Sequence, residues 1–174
     1  MSHNSITVNG TEPNVAGEIA AGGRQMILVG RGLQNSYSNS PASGLSAGST
    51  LYFYDTSPVN TIPNATISSS SGWVSSVTLP AGNYVILGYF SALFSSSGSL
   101  EFVWYKGAAR VGNGAVIGAL TLASLDGSRL AQAAVTITTT STFTLKVLSS
   151  SNVSALASQG NIPSEESWVM IEKV

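Results

Sequence analysis

The most informative part of the chain is Leu79-Pro-Ala-Gly-Asn-Tyr-Val-Ile-Leu-Gly-Tyr-Phe-Ser-Ala-Leu-Phe94, which Ser95-Ser-Ser-Gly-Ser99 connects to Leu100-Glu-Phe-Val-Trp-Tyr105. Two apolar runs separated by five small polar residues predict a β-hairpin. The first run is apolar on both faces, since one face carries Tyr84, Ile86, Phe90 and Ala92 and the other carries Val85, Leu87, Tyr89 and Leu93. A strand with one wet face alternates with polar residues. We therefore expect the second face to be covered, by another layer of this chain or by another copy of it.

Composition limits the class of protein. The chain has 174 residues, a net charge of −1 and only 9% charged residues, against a usual figure of about 25%. This charge balance gives no electrostatic reason to expect a nucleic-acid partner. The absence of cysteine excludes a disulfide framework and thiolate chemistry. No apolar run approaches the ~20 residues of a membrane helix, and residues 1–5 do not resemble a signal peptide, so we expect no membrane insertion.

Short apolar segments between turn signals predict the strands. Period-2 or continuous apolar patterns cover six segments, at residues 25–29, 51–54, 73–79, 115–125, 133–148 and 168–174. The dipeptides Asn113-Gly114 and Asp126-Gly127 predict two-residue hairpin turns, and residues 149–166 predict a polar loop. No fixed-period repeat is present. The pattern predicts an all-β fold, an antiparallel jelly-roll sandwich.

We predict two parts in the chain, an extended N-terminal arm at residues 1–23 and a β-sandwich domain at residues 24–174. The arm carries four apolar residues, Ile6, Val8, Val15 and Ile19. This is too little apolar surface for independent folding. The arm is expected either to attach to another surface or to dock as a strand on its own domain.

Gly82-Asn-Tyr84-Val-Ile86 and the C-terminal Trp168-Val-Met-Ile-Glu-Lys173 carry a resemblance to a known family. Over residues 50–174 the chain resembles the C1q/tumour-necrosis-factor-like jelly rolls of bacteriophage virions, which serve as capsid decoration proteins, head fibres and receptor-binding knobs. The resemblance implies a homotrimer whose first sheet packs around the threefold axis. The implied interface residues are Tyr84, Ile86, Tyr89, Phe90, Trp104 and Trp168. The alternative is that residues 24–54 cover the apolar face within one subunit.

No pattern in the chain predicts catalysis, a metal or a cofactor. The one histidine, His3, lies in the arm, and Glu165-Glu166 are neighbours whose side chains point apart on an extended segment. Asp55 and Asp126-Gly-Ser128 could offer oxygen ligands to calcium, but the turn interpretation is favoured because no Asp-x-Asp cluster is present. Gly112-Asn-Gly114-Ala-Val-Ile-Gly118 departs from the dinucleotide fingerprint and lacks a βαβ unit, so it predicts a hairpin.

The first hypothesis is a non-enzymatic virion structural protein, a trimeric capsid decoration or head-fibre protein on the virion surface. Its arm would bind the major capsid protein or another virion protein. The alternative is a tail-borne knob that recognises host surface glycan, or a free carbohydrate-binding module. In that case residues 34–48 or 149–166 would contact sugar, and Tyr37, Tyr52 or Tyr54 could stack on it, although core packing is favoured for Tyr52 and Tyr54.

Overall fold

The computed structural model describes residues 24–30, 45–55, 57–119, 127–156 and 167–174. Within these ranges the chain forms ten strands that are all joined in antiparallel pairs. They are β1 (Met26–Val29), β2 (Phe53–Tyr54), β3 (Val59–Asn60), β4 (Thr66–Ser70), β5 (Trp73–Leu79), β6 (Gly82–Lys106), β7 (Ala109–Ala119), β8 (Gly127–Ile137), β9 (Ser141–Leu156) and β10 (Trp168–Lys173). The prediction of an all-β antiparallel jelly roll is confirmed.

Strand β6 belongs to both layers of the sandwich. Its first half, residues 82–92, lies between β8 and β10, and its second half, residues 98–106, lies between β7 and β9. We use the name front sheet for the layer with the strand order β3-β1-β10-β6-β8, to which only the first half of β6 belongs. The back sheet consists of the second half of β6 with β7, β9 and β5, and β2 and β4 pair with β5.

The predicted hairpin at residues 95–99 is wrong. Both halves of β6 run antiparallel to β9, so they point in the same direction, and residues 95–98 form an irregularity between the pairs Phe94↔Val153 and Ser99↔Ser151. The physical reason is that extra residues in a ladder are absorbed as a bulge that bends the strand. Small polar residues suit such a bulge as well as they suit a hairpin loop.

The core lies between the two sheets and is built by alternation along the strands. Tyr84, Ile86 and Phe90 point inward from the first half of β6 and are at most 1% exposed. The ring of Phe90 meets Phe102 of the back sheet edge to face, with centroids 5.8 Å apart. Such aromatic contacts add to the burial of apolar area, which is the main stabilising term of the sandwich.

Strand β7 contains a bulge where a turn was predicted. The pairing with β6 moves from Phe102↔Ala115 to Trp104↔Val111, so β7 has extra residues at 112–114. The bulge brings Asn113 into register with Gln132 of β8. The hairpin turn lies instead at Gly107-Ala108, where Gly107 has the positive φ of 56° that the first position of a type II′ turn requires.

The remaining predicted strands differ from the observed ones mainly in length. The segments at residues 25–29, 73–79 and 168–174 are confirmed as β1, β5 and β10. Strand β9 continues to Leu156, into the predicted loop, and β4 was not predicted, because its exposed Thr and Ser residues show no apolar alternation. Residues 1–23 lie outside the described ranges, so the arm and the domain boundary at residue 24 stay predictions. The described ranges contain no helix that could cross a bilayer.

Candidate functional site

The outer face of the front sheet carries an apolar surface outside the core. Alternation points one set of side chains away from the core, and the strand registers bring this set together. We call it the outer front face. Its members are Met26 and Leu28 of β1, Val59 of β3, Val85, Leu87 and Tyr89 of β6, Leu130, Gln132 and Ala134 of β8, and Trp168, Met170 and Glu172 of β10.

Cross-strand rows organise this face. Leu87 of β6 lies opposite Met170 of β10, which lies opposite Leu28 of β1. One row away, the rings of Tyr89 and Trp168 are stacked, with centroids 5.5 Å apart and planes 12° from parallel. Cross-strand contacts of this kind fix the side chains and hold the surface in one shape. The face is therefore a continuous, ordered apolar surface.

Exposure shows that this surface is not part of the core. Leu28, Leu87, Met170 and Trp168 are half-buried, whereas their strand neighbours that point inward are buried. Leu130, at the β8 margin, is 39% exposed. A contiguous apolar patch on a folded protein is typical of an interaction site.

Charge on the outer front face is confined to one margin. The guanidinium of Arg24 donates to the Glu172 carboxylate, with Nη2 2.7 Å from Oε2. This hydrogen bond lowers the pKa of Glu172, and the same bond raises the pKa of Arg24. Both groups are open to solvent, so the pair adds little stability and is screened by salt. It leaves the centre of the face without charge.

A groove extends the face towards the β7 bulge. It has a volume of about 310 Å³ and is lined by Val85, Gln132, Ala133, Ala134, Gly112 and Asn113. Gly112 has a φ of 71°, and a Cβ there would lie 2.1 Å from the carbonyl oxygen of Gln132. The groove thus depends on a close backbone approach that only glycine permits.

The predicted interface residues divide between the core and the outer front face. Four of them, Tyr84, Ile86, Phe90 and Trp104, are at most 2% exposed inside the core of one subunit. These four side chains are therefore not open to a second subunit, because alternation turns Tyr84, Ile86 and Phe90 towards the back sheet and the back-sheet residue Trp104 packs on Gly88 of the front sheet. Tyr89 and Trp168 lie together on the outer front face.

Several predicted site residues lie outside the described ranges. These are the arm residues Ile6, Val8, Val15 and Ile19, together with Tyr37, Asp126 and most of the segments 34–48 and 149–166. Residues 149–156 of the second segment belong to β9 rather than to a loop.

The remaining candidates have structural roles. Asp55 accepts hydrogen bonds from the backbone N–H groups of Gly30 and Ser57, at 2.9 and 2.7 Å, as the turn interpretation predicts. Tyr54 packs edge to face on Trp73, whereas Tyr52 is 36% exposed, so core packing was the wrong expectation for Tyr52. In the described ranges, no three His, Cys, Asp or Glu side chains come together.

Sequence reasoning missed Leu28, Met170 and Leu130 as members of the outer front face. A signal was present in β1 and β10, because Met26-Ile-Leu-Val29 and Trp168-Val-Met-Ile171 are continuous apolar runs rather than alternating ones. Continuous apolar strands are typical of sheets covered on both sides. Only the registers show that these runs share one face.

Comparisons with known proteins assign no family. No family model matches the chain, and no curated protein matches it. Among solved structures, a carbohydrate-binding module of lichenase 5A from Cellvibrio mixtus, in complex with cellotriose, is similar at 18% identity and a TM-score of 0.30. The match covers 84% of this chain and 96% of that one. A TM-score this low transfers neither fold nor ligand, and the fold assignment rests on the strand order and packing described above.

Proposed function

We propose that this chain is a non-enzymatic structural protein that assembles as a homotrimer through its outer front face and serves on the surface of a bacteriophage virion. The observation that carries the assembly is the continuous apolar surface around Leu87, Met170 and Leu28. Exposed apolar area is costly in water, at roughly 25 cal/mol per Å². A second copy of the same chain offers an equally apolar surface to cover it.

The composition of the face supports a protein partner rather than a small ligand. Tyrosine, tryptophan and methionine are enriched at the centres of protein interfaces, and charged residues are depleted there. Met170 lies in the middle row between Leu87 and Leu28, the row on one side holds Tyr89 and Trp168, and the row on the other side holds Glu172 with its partner Arg24. This arrangement of an apolar centre and a charged rim is typical of a subunit contact.

Closed cyclic symmetry is the common way to satisfy such a face. Three copies arranged around one axis would each present the front sheet inward and the back sheet outward. The trimer and the virion location are also what the resemblance in the sequence implies. The alternative of coverage by the chain's own residues 24–54 receives no support from β1, which lies within the front sheet beside β10.

The decisive experiment is the mass of the full chain in solution by light scattering. We expect three times the 17.8 kDa of one chain. Met170→Lys and Leu130→Lys should shift the mass towards one chain, because a buried unpaired ammonium opposes the contact. Val116→Lys is the matched control, since Val116 is 55% exposed on the other side of the sandwich.

A wild-type monomer at micromolar concentration would contradict the assembly. Equal dissociation by Val116→Lys would show that the added charge acts generally and not through the outer front face. Circular dichroism of each variant checks that the β fold is intact.

Attachment to a particle is tested separately by deleting residues 1–23. We expect the shortened protein to keep its oligomeric mass and to lose binding to purified phage particles. A full-length protein that forms the trimer but binds no particle would contradict the virion role and leave the assembly standing.

A further inference from the structure

The outer face of the back sheet carries a small basic and aromatic cluster. Tyr105 of β6 lies directly opposite Arg110 of β7 and Thr144 of β9. Lys146, two residues further along β9, places its Nζ 5.2 Å from the centroid of the Tyr105 ring. Directly opposite neighbours have Cβ atoms about 4.5–5.5 Å apart, so Arg110 begins beside Tyr105 on the β7 side, while Lys146 reaches the ring from the β9 side. We call Tyr105, Arg110, Thr144 and Lys146 the back patch.

Arg110 and Lys146 form no ion pair with any carboxylate in the described ranges. In the described part of the chain the one ion pair joins Arg24 to Glu172, on the other side of the molecule. The carboxylate on the same outer face, Glu101, accepts a hydrogen bond from the hydroxyl of Ser149 at 3.2 Å. Two uncompensated cations beside one ring are notable in a chain with 9% charged residues. A bound anion would supply the negative charge that these two cations lack among the described residues.

The side chains match the parts of a carboxylated sugar. A guanidinium presents parallel N–H donors that bind a carboxylate in a bidentate way. The apolar body of a tyrosine ring packs against the C–H face of a sugar ring, while its hydroxyl and that of Thr144 can exchange hydrogen bonds with sugar hydroxyls. Arg110 is exposed and Tyr105 half-buried, so both are accessible from solvent.

We propose that the back patch binds an acidic saccharide, with Arg110 on the carboxylate, Tyr105 against the sugar ring and Lys146 adding positive charge beside the ring. This inference is independent of the proposed assembly. The back patch and the outer front face lie on opposite sides of the sandwich, so a trimer built through the front sheets keeps its back patches exposed. A shallow site binds weakly by itself. Three such sites on one trimer would bind a polysaccharide more tightly through avidity.

The test measures binding of the full chain to oligogalacturonate by calorimetry at low ionic strength. The methyl ester of the same oligosaccharide is the matched ligand, because esterification removes the charge and keeps the sugar rings. We expect oligogalacturonate to bind and the ester to bind at least about tenfold more weakly. Arg110→Gln and Lys146→Gln should each weaken oligogalacturonate binding, Arg110→Gln by about tenfold.

Lys173→Gln is the matched protein control. It removes one positive charge from β10 of the front sheet, so the net charge changes as in the patch variants while the back patch stays intact. We expect its affinity to equal that of the wild type. An equal loss in Lys173→Gln would show that the attraction comes from net charge, which overturns the site.

Two further outcomes would also overturn the proposal. Equal binding of the methyl ester would show that the carboxylate is not recognised. Equal binding of polyglutamate of similar length would show that any polyanion suffices and that the sugar ring contributes nothing. Light scattering on the same samples reports the oligomeric mass, so failure of saccharide binding and failure of assembly are distinguished.

Discussion

The indole of Trp104 lies against the backbone of Gly88, which belongs to the same strand but to the opposite sheet. A Cβ added at Gly88 would be 2.9 Å from Cζ2 of that indole. The indole Nε1–H donates to the carbonyl oxygen of Ala131 on β8, at 3.3 Å. Strand β6 therefore bends enough between its halves for a side chain of the second half to contact the backbone of the first. The contact joins the two sheets at the centre of the core.

Gly88→Ala should destabilise the protein by about 1–3 kcal/mol, because a rigid indole cannot give way to the added methyl group. The urea midpoint of unfolding measures the loss. Gly118→Ala is the control, since its Cβ would meet only the carbonyl oxygen of Gly98 at 3.9 Å. Equal midpoints for the two variants would contradict the close packing of the sheets at Gly88.

Gly112→Ala and Gly107→Ala separate backbone strain from steric clash. Both glycines have positive φ, 71° and 56°, so alanine costs about 1–2 kcal/mol at either position. A Cβ at Gly112 would also overlap the Gln132 carbonyl, whereas a Cβ at Gly107 has nothing within 4 Å. We expect the larger fall in thermal midpoint for Gly112→Ala. A larger fall for Gly107→Ala would show that the bulge moves aside at no cost.

Tyr84 should make the protein sensitive to alkali. Burial raises the pKa of its phenol above the ordinary value, and its hydroxyl donates to the carbonyl oxygen of Pro80 at 3.0 Å. Because the pKa of this phenol is higher in the folded chain than in the unfolded chain, the neutral phenol contributes to stability below about pH 10. This contribution is lost as the pH rises through the pKa of the folded chain.

Tyr84→Phe removes both the hydrogen bond and the titration. We expect a loss of about 0.5–1.5 kcal/mol at neutral pH and a smaller further loss at alkaline pH than in the wild type. Urea unfolding at the two pH values measures both effects. If Tyr84→Phe loses as much stability at alkaline pH as the wild type does, a titrating group other than Tyr84 causes the alkali sensitivity.

The pair of Arg24 and Glu172 should give a small stabilisation that acid and salt remove. The hydrogen bond from Arg24 lowers the pKa of Glu172, so the stabilisation is complete above about pH 4.3, the ordinary glutamate value, and is lost as the pH falls through the lowered one. Glu172→Gln should lower the thermal midpoint at about pH 6, and the difference from the wild type should shrink steadily as the pH is lowered below about 4.3. The difference should shrink in about 1 M salt, because exposed charges are screened. Glu101→Gln, which breaks no ion pair, serves as the comparison.

Periodicity was sufficient to locate strands where one residue in two is apolar. It placed β5 correctly, and a continuous apolar run placed β10, because both patterns are local properties that each segment carries with it. It failed at residues 95–99, since serine and glycine suit a hairpin and a bulge equally. The partner strand β9 decides between them, and pairing over that separation leaves no mark in the local sequence.

The outer front face could be predicted only in part. The double-sided apolar character of residues 84–93 indicated that some face needs a cover, and that expectation led to Tyr89 and Trp168. It could not say which side of the strand turns inward, because both sides are equally apolar. The bend of β6 and the indole of Trp104 settle this, and they place Tyr84, Ile86 and Phe90 in the core.

The position of β10 has a consequence for how the chain is made. This strand fills the gap between β1 and the first half of β6, where Met26 pairs with Glu172. During translation, β1 leaves the ribosome long before its partner strand β10 has been synthesised. A nascent chain that lacks residues 168–173 cannot close its front sheet. Such long-range pairing slows folding, and it also means that prematurely terminated products stay open to the cell's proteases.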